Sequence, residues 1–394
     1  MKKILILLFI LPFAGLGQDN IAFSQGSVVQ KNFCDTIPFT LVKSKMIVSV
    51  VLNGKSRKFL VDTGATLMIS EEIQAEMKNV VLGNNYLIDI SNLRKQMPVV
   101  LVRSLQLGNL TFRKVPAVVA SLKKVPFLNC LDCDGIIGSN LLRNCIVQID
   151  LTQKHLILTD HLKKIDLSNA FETPLRLDGQ SSPVIVLKLY ENLQFEALFD
   201  SGSDDFIGIS PSNTEKGINN GNIKILNRGF GAGAIGINGI GAEDVQTRIS
   251  IANVSFGKIT INDFVAIVSA ESNDYIGIEL CEYGTVTIDY LNKKFYFAAK
   301  QLQQVYRNQK TLGFTIQPEA NQYTVGVVWT GTEAEKSGLK SGNHILKIGD
   351  LDIVKRSPAL DCTLLLADIA KQPNVTLTYK NIQAQVKTIR LNEE

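Results

Sequence analysis

The segments FLVDTGATLMIS (59–70) and FEALFDSGSDDFIGIS (195–210) carry one pattern twice: an apolar run, then Asp-Thr-Gly or Asp-Ser-Gly, then apolar residues ending in Ile-Ser. The two aspartates, Asp62 and Asp200, are 138 positions apart. About seventy residues beyond each comes a second matched element. The first is Asp134-Gly-Ile-Ile-Gly138 followed by CIVQIDLTQKHLIL (145–158), and the second is Asp274-Tyr-Ile-Gly277 followed by GTVTIDYLNKKFYF (284–297). Asp150 and Asp289 repeat the offset at 139. Matching offsets at both ends of a period near 140 residues indicate an internal duplication, so each copy should fold as one unit.

Both copies read as β. KMIVSVVLNGKSRKFLVD (45–62) is two β-branched runs around an Asn-Gly turn, which predicts a hairpin. Helical signal is confined to short pieces such as SEEIQAEMKN (70–79), where Ser70 is placed to cap the N-terminus. After a polar connector at 301–310 the pattern changes. LGFTI, YTVGVVWTG and VTLTYK read as strands, GTEAEKSGLKSGNHILKIGD as a turn and short helix leading to a strand, and PALDCTLLLADIAKQ (358–372) as a helix. The expected organisation is a first β lobe over 18–165, a second over 166–300, the linker 301–310 and an α+β module over 311–394. Residues 1–17, with Lys2-Lys3, an apolar run and Gly15-Leu16-Gly17, read as a signal peptide cleaved before Gln18. Export to the periplasm or beyond the cell is therefore expected, with no membrane span.

Charge and cysteine content narrow the partners. A net charge of +4, from 41 basic and 37 acidic residues, gives no argument for nucleic acid. Cys130-Leu-Asp-Cys133 reads as a redox pair, half a zinc site or a bridge within a turn, and spacing fixes no connectivity among the six cysteines. The three histidines are scattered, so no metal site and no cofactor are expected.

A single Asp-Thr-Gly is ordinarily a turn. Here it occurs twice, each time after an apolar strand and before an apolar-apolar-Gly element. That combination resembles the aspartic proteases of the pepsin and retropepsin type, and most closely the two-lobed bacterial aspartyl proteases with a C-terminal PDZ domain. GIIGSNLL (135–142) is similar to the retroviral segment that crosses behind the catalytic loop, and Asp200-Ser-Gly-Ser-Asp-Asp205 to the retroviral catalytic motif.

The resemblance implies a mainly β fold of two pseudo-twofold-related lobes followed by PDZ. In it Asp62 and Asp200 would form a catalytic dyad, supported by Thr63, Gly64, Thr66, Ser201 and Gly202. It implies a water nucleophile and no covalent acyl-enzyme. Asp204 and Asp205 would bind substrate backbone, and Gly231, Ala232 and Gly233 would lie in a Gly-rich flap. Tyr86 is its counterpart in the first lobe, with a packed strand residue as the alternative there. Thr66 is placed to bond the outer oxygen of the first carboxylate. The arginine that accompanies the acidic pair in retroviral enzymes is not matched: Ser139 and Glu279 stand at those positions. Asp204 would then be unpaired and would move the active pH range upward.

Leu312, Gly313, Phe314 and Ile316 resemble the peptide-binding edge of PDZ, for which a C-terminal peptide is the expected ligand. Duplication supplies a built-in dimer, so a monomer acting on protein or peptide is expected. The rival reading is an inactive periplasmic peptide-binding or scaffold protein on a protease fold. G-x-S-x-G and H-E-x-x-H signatures are lacking.

Overall fold

The computed structural model describes residues 23–88, 93–189, 193–232, 235–236, 239–301, 310–366, 369 and 372–394. The expected signal peptide, linker positions 302–309 and Gly233 lie outside the described residues.

The predicted hairpin forms between strands Lys45–Leu52 and Lys55–Asp62, with Asn53 and Gly54 both at positive φ. Such a two-residue turn matches the right-handed twist of its strands. Its second strand ends on Asp62, alongside the parallel strand Gly135–Gly138, in which Gly138 stands opposite Asp62. The second repeat builds the same corner: Leu193–Asp200 runs parallel to Tyr275–Gly277, with Gly277 opposite Asp200. The repeated Ile-Ser has a shared purpose. Ser70 caps helix Glu71–Met77 and Ser210 caps helix Pro211–Asn219, each hydroxyl accepting a backbone N–H three residues on.

The repeats join through a continuous sheet. Ile146–Asp150 pairs antiparallel with Gly284–Asp289, and Gln148 faces its own equivalent, Thr287, with an amide-to-hydroxyl bond of 3.0 Å. A pairing that sets equivalent residues opposite each other marks a local twofold axis. One apolar cluster runs from Val28 to Phe297 across this seam. A second cluster lies in the first repeat and includes Leu60, Ala65, Leu87, Met97, Val118 and Ile136.

Residues 310–394 have their own sheet and core. Its strand order starts at an open edge, Phe314–Pro318, followed by Tyr323–Val328, His344–Ile348, Asn374–Lys380 and Val386–Asn392. The last strand, Val386–Asn392, adds to the strands read from the sequence and pairs with the one that contains VTLTYK. Helix Pro358–Leu366 carries Cys362, which is disulfide-bonded to Cys130 of helix Pro126–Cys130 in the first repeat. Cys130 and Cys133 therefore do not pair with each other. Cys133 is a buried free thiol, pushed up to about 12 by desolvation.

The second repeat also docks on this unit. Thr330 N–H donates to Arg228 O (2.7 Å), and Arg228 N–H donates to the Thr330 hydroxyl (3.1 Å). A bridge closing 232 residues stabilises by about 2–4 kcal/mol in typical cases. Cys362→Ser should therefore release a separate, lower-temperature transition in calorimetry. Identical melting profiles with and without the bridge would contradict that assignment. No helix among the described residues is long and apolar enough to cross a membrane.

Candidate active site

The two Asp-Thr/Ser-Gly loops meet across the local axis and are bonded to each other rather than merely adjacent. Thr63 Oγ1 donates to Phe199 O (2.6 Å) and accepts from Ser201 N–H (2.9 Å). Ser201 Oγ returns both contacts, donating to Val61 O (3.3 Å) and accepting from Thr63 N–H (3.0 Å). Both hydroxyl residues are fully buried. Each loop also folds onto its own carboxylate: Gly64 N–H donates to Asp62 Oδ1 and Gly202 N–H to Asp200 Oδ1, both at 2.8 Å.

These contacts set the Asp62 carboxyl against Gly202 of the facing loop and the Asp200 carboxyl against Gly64. The Asp62 carboxyl is held well above the usual carboxylate range, first by burial and then by the charge and hydrogen bond of Asp200. Lys45 and the Gly64 N–H pull the other way.

Space at the axis admits only glycine. A Cβ on Gly202 would lie 2.3 Å from Asp62 Cγ, and one on Gly64 would lie 2.6 Å from Asp200 Cγ. Behind the loops, Gly138 and Gly277 sit against backbone at 2.2 and 1.8 Å from the same notional atom, which accounts for the repeated apolar-apolar-Gly element. Ser139, next along, donates its hydroxyl to Thr63 O (2.7 Å) and shares a bond with the Tyr290 hydroxyl (2.8 Å). Asn140 accepts from Leu67 N–H (2.6 Å) and donates to Pro116 O (2.7 Å). These two braces were not legible as site residues, because their partners are distant in sequence.

Three expectations are corrected here. Thr66 Oγ1 makes no hydrogen bond and does not reach the outer oxygen of Asp62, although the residue is only 1% exposed. Asp204 is not unpaired. Lys45, 7% exposed, forms an ion pair with it and donates to Gly202 O. This cation enters from the start of the first hairpin, where nothing in the local sequence distinguishes it from a surface lysine. Its ammonium also lies 5.3 Å from the centre of the Phe127 ring. Tyr86 is not a packed strand residue: it is 44% exposed on strand Val80–Ile88, beneath the Arg94 guanidinium at 3.9 Å.

The other predicted positions divide. Asp205 accepts from the Tyr275 hydroxyl at 2.9 Å, a contact between the loop and the crossing strand Tyr275–Gly277. Gly231 lies in strand Ile223–Ala232 and backs onto the C-terminal unit, where a Cβ would come within 2.8 Å of Gly326 O. Ala232, at the end of that strand, pairs with Glu243. Leu312 and Phe314 point into the C-terminal core, Ile316 is half-buried, and Gly313 takes a positive φ beside Thr332 and Ala334. Among the described residues no group of three or more His, Cys, Asp or Glu is placed to hold a metal ion.

Because the Lys45 charge lowers the proton affinity of Asp62, Lys45→Met should raise it further. The alkaline limb of the pH profile of kcat/KM should then move to higher pH. A limb that stays in place or moves to lower pH would contradict the assigned influence of Lys45.

An aspartyl protease family model matches residues 48–141, which contain the first Asp-Thr-Gly loop and its crossing strand. That match supports a protease-type hydrolase, a class that binds protein or peptide. No curated protein matches the chain. Solved structures with similarity include basic 7S globulin from soybean (11% identity, 68% of this chain and 95% of that one, TM-score 0.42). Conglutin gamma, a basic 7S globulin from lupine seeds, is similar at 12% identity, over 69% and 96%, with TM-score 0.43. A retropepsin-like aspartic protease from Rickettsia conorii is similar at 20% identity over 34% of this chain and 93% of that one, with TM-score 0.24.

Proposed function

We propose that the protein is an exported aspartic endopeptidase of two pepsin-like lobes with a C-terminal PDZ module, in which Asp62 and Asp200 activate water against a peptide bond. One observation carries the reading: the reciprocal Thr63–Ser201 bonds hold two loops so that their carboxyls share a site. With one proton between them, the ionised member draws a proton from the attacking water while the protonated member donates to the scissile carbonyl oxygen. A tetrahedral diol forms. The carboxyl that took the water's proton then passes one to the leaving nitrogen, and as the C–N bond breaks a diol hydroxyl returns its proton to the other carboxylate, which restores the shared proton. The loop N–H bonds and the buried hydroxyls keep both groups aimed without motion during the step.

Lys45 bridges Asp204 to the second loop and fixes the wall of the cleft on that side. Strand Phe314–Pro318 is an open edge, the geometry that adds a peptide as a further strand. That edge is the reading's recruitment site. The disulfide to Cys130 and the contact at Arg228 support a module fixed in place rather than one tethered by the linker alone.

The test is hydrolysis of an unfolded protein substrate between pH 3 and 8 by the wild type, Asp62→Asn and Asp200→Asn. Cleavage by the wild type alone is expected. Wild-type cleavage that persists in either variant would remove the dyad mechanism, and a wild type inactive at every pH but able to bind peptide would favour the scaffold reading.

A further inference from the structure

The two repeats support their loops alike in backbone and differently in side chain. Gly138 stands opposite Asp62 and Gly277 opposite Asp200, which makes Ser139 and Ile278 equivalent. Their backbones behave as equivalents: Ser139 N–H donates to Ala65 O (2.9 Å) and Ile278 N–H to Ser203 O (3.1 Å). Their side chains do not, since one buried position carries a hydroxyl and the other is apolar. A second exchange of the same kind follows the paired aspartates at the seam, where Tyr290 succeeds Asp289 and Leu151 succeeds Asp150. Ser139 and Tyr290 bond to each other, and both their counterparts are apolar.

The two hydroxyls act in series. Ser139 has one hydroxyl hydrogen and donates it to Thr63 O (2.7 Å), so its bond with the Tyr290 hydroxyl (2.8 Å) uses the Tyr290 hydrogen. Burial pushes the Tyr290 phenol upward, so it keeps that hydrogen. Tyr290 is placed by the turn after strand Gly284–Asp289, where the Asp289 carboxylate accepts from Asn292 N–H (2.9 Å) and Nδ2 (2.8 Å). Thr63 O is the carbonyl of the peptide unit whose N–H belongs to Gly64, and that N–H donates to Asp62 Oδ1. Hydrogen bonds in series polarise one another inside a protein. Donation to the Thr63 carbonyl therefore fixes the plane of this peptide and makes its N–H a better donor to Asp62.

We propose that Tyr290 and Ser139 are positioning residues for the Asp62 carboxyl, a hydroxyl chain that aims and strengthens the Gly64 N–H bond and that the apolar Ile278 and Leu151 cannot supply to Asp200. The kinetic consequence rests on the proposed peptidase reading; the effect on the carboxyl does not. The charged groups acting on Asp62 are Asp200 of the facing loop and Lys45, and those acting on Tyr290 are Asp178, Cys145 and Asp62 itself.

Full-length chains carry Tyr290→Phe, Ser139→Ala or both. Titration of Asp62 is read by carbon NMR of labelled aspartate carboxyls, its signal being the one lost in Asp62→Asn. Hydrolysis of an unfolded protein substrate is followed on the same chains over the same pH range. Loss of the hydroxyl chain withdraws support from the ionised form of Asp62. Its titration midpoint and the alkaline limb of kcat/KM should then move to higher pH, by about 0.2–0.5 unit in Tyr290→Phe and about twice that in Ser139→Ala. In both, kcat should fall by about threefold or more while KM stays within about twofold.

Because the two hydroxyls act in series, adding Tyr290→Phe to Ser139→Ala should move the midpoint no further. Folded single variants with unchanged midpoints, or a double variant whose shift is the sum of the two, overturn the proposal. So does unfolding of both single variants, which would make the pair a brace of the seam and nothing more. If only one unfolds, the midpoint in the other decides. Shifted midpoints in a protein that cleaves nothing at any pH would remove the peptidase and keep the hydroxyl chain. Unshifted midpoints in one that cleaves would do the reverse.

Discussion

Asp62→Asn and Asp200→Asn should each lower kcat/KM for peptide hydrolysis by about 10³-fold or more, near the upper part of the range for loss of general acid–base catalysis. In the proposed cycle neither partner can replace the other, because it needs one proton donor and one acceptor within the same pair. The same substitution has a separate thermodynamic signature. Burial and Asp200 raise the proton affinity of Asp62 in the folded chain above its value in the unfolded chain. The protonated carboxyl is then the form favoured by folding. Its contribution is complete below the unfolded pKa and is lost as pH rises through the folded one. Asn carries no such penalty. The melting temperature of Asp62→Asn minus that of the wild type should therefore grow from acid to neutral pH. A difference that stays flat across that range would mean the carboxyl is not strained by its surroundings.

Gly202→Ala should be nearly as damaging to activity, for a geometric reason. The new methyl would stand 2.3–2.6 Å from all three terminal atoms of the Asp62 carboxyl. That carboxyl cannot step aside cheaply, since Gly64 N–H holds one oxygen and Asp200 the region of the other. Either the second loop retreats, breaking its bonds to Thr63, or the dyad opens. Overpacking costs about 1–3 kcal/mol, and each cross-loop bond lost adds about 1 kcal/mol. Urea unfolding should show a loss of several kcal/mol, and kcat should fall by at least about 10²-fold with the widened carboxyl separation. Near-normal turnover in a folded Gly202→Ala protein would show that the axis is less crowded than described.

The paired Asp-Thr/Ser-Gly loops and the crossing strands were legible in the amino-acid order because duplication prints each constraint twice. An apolar strand that ends on Asp, a hydroxyl residue, and a glycine with no room for Cβ are all local signals. What was not legible depends on partners far apart along the chain. Lys45 becomes part of the site only through Asp204, and Cys130 is read correctly only with Cys362 in view. The glycines at 229 and 231 looked like those of a lid, yet they allow strand Ile223–Ala232 to approach Val327 and Gly326 of the C-terminal unit. Thr66 kept the right position and lost the expected bond. The strand Val386–Asn392 was overlooked because an alternating but strongly polar run gives little period-two signal.

Val184 stands opposite Leu198 as Ile47 stands opposite Leu60, so the position equivalent to Lys45 in the second repeat is Ser182, and the position equivalent to Asp204 in the first is Thr66. The two equivalent sites thus carry different chemistry, an ammonium–carboxylate pair at one and the unpartnered hydroxyls of Ser182 and Thr66 at the other. On the proposed function, an extended polypeptide threaded between them would meet unlike neighbours at its two ends, and the groove would have a reading direction. A symmetric pair of identical subunits would accept a chain either way round, whereas unlike halves would tell head from tail.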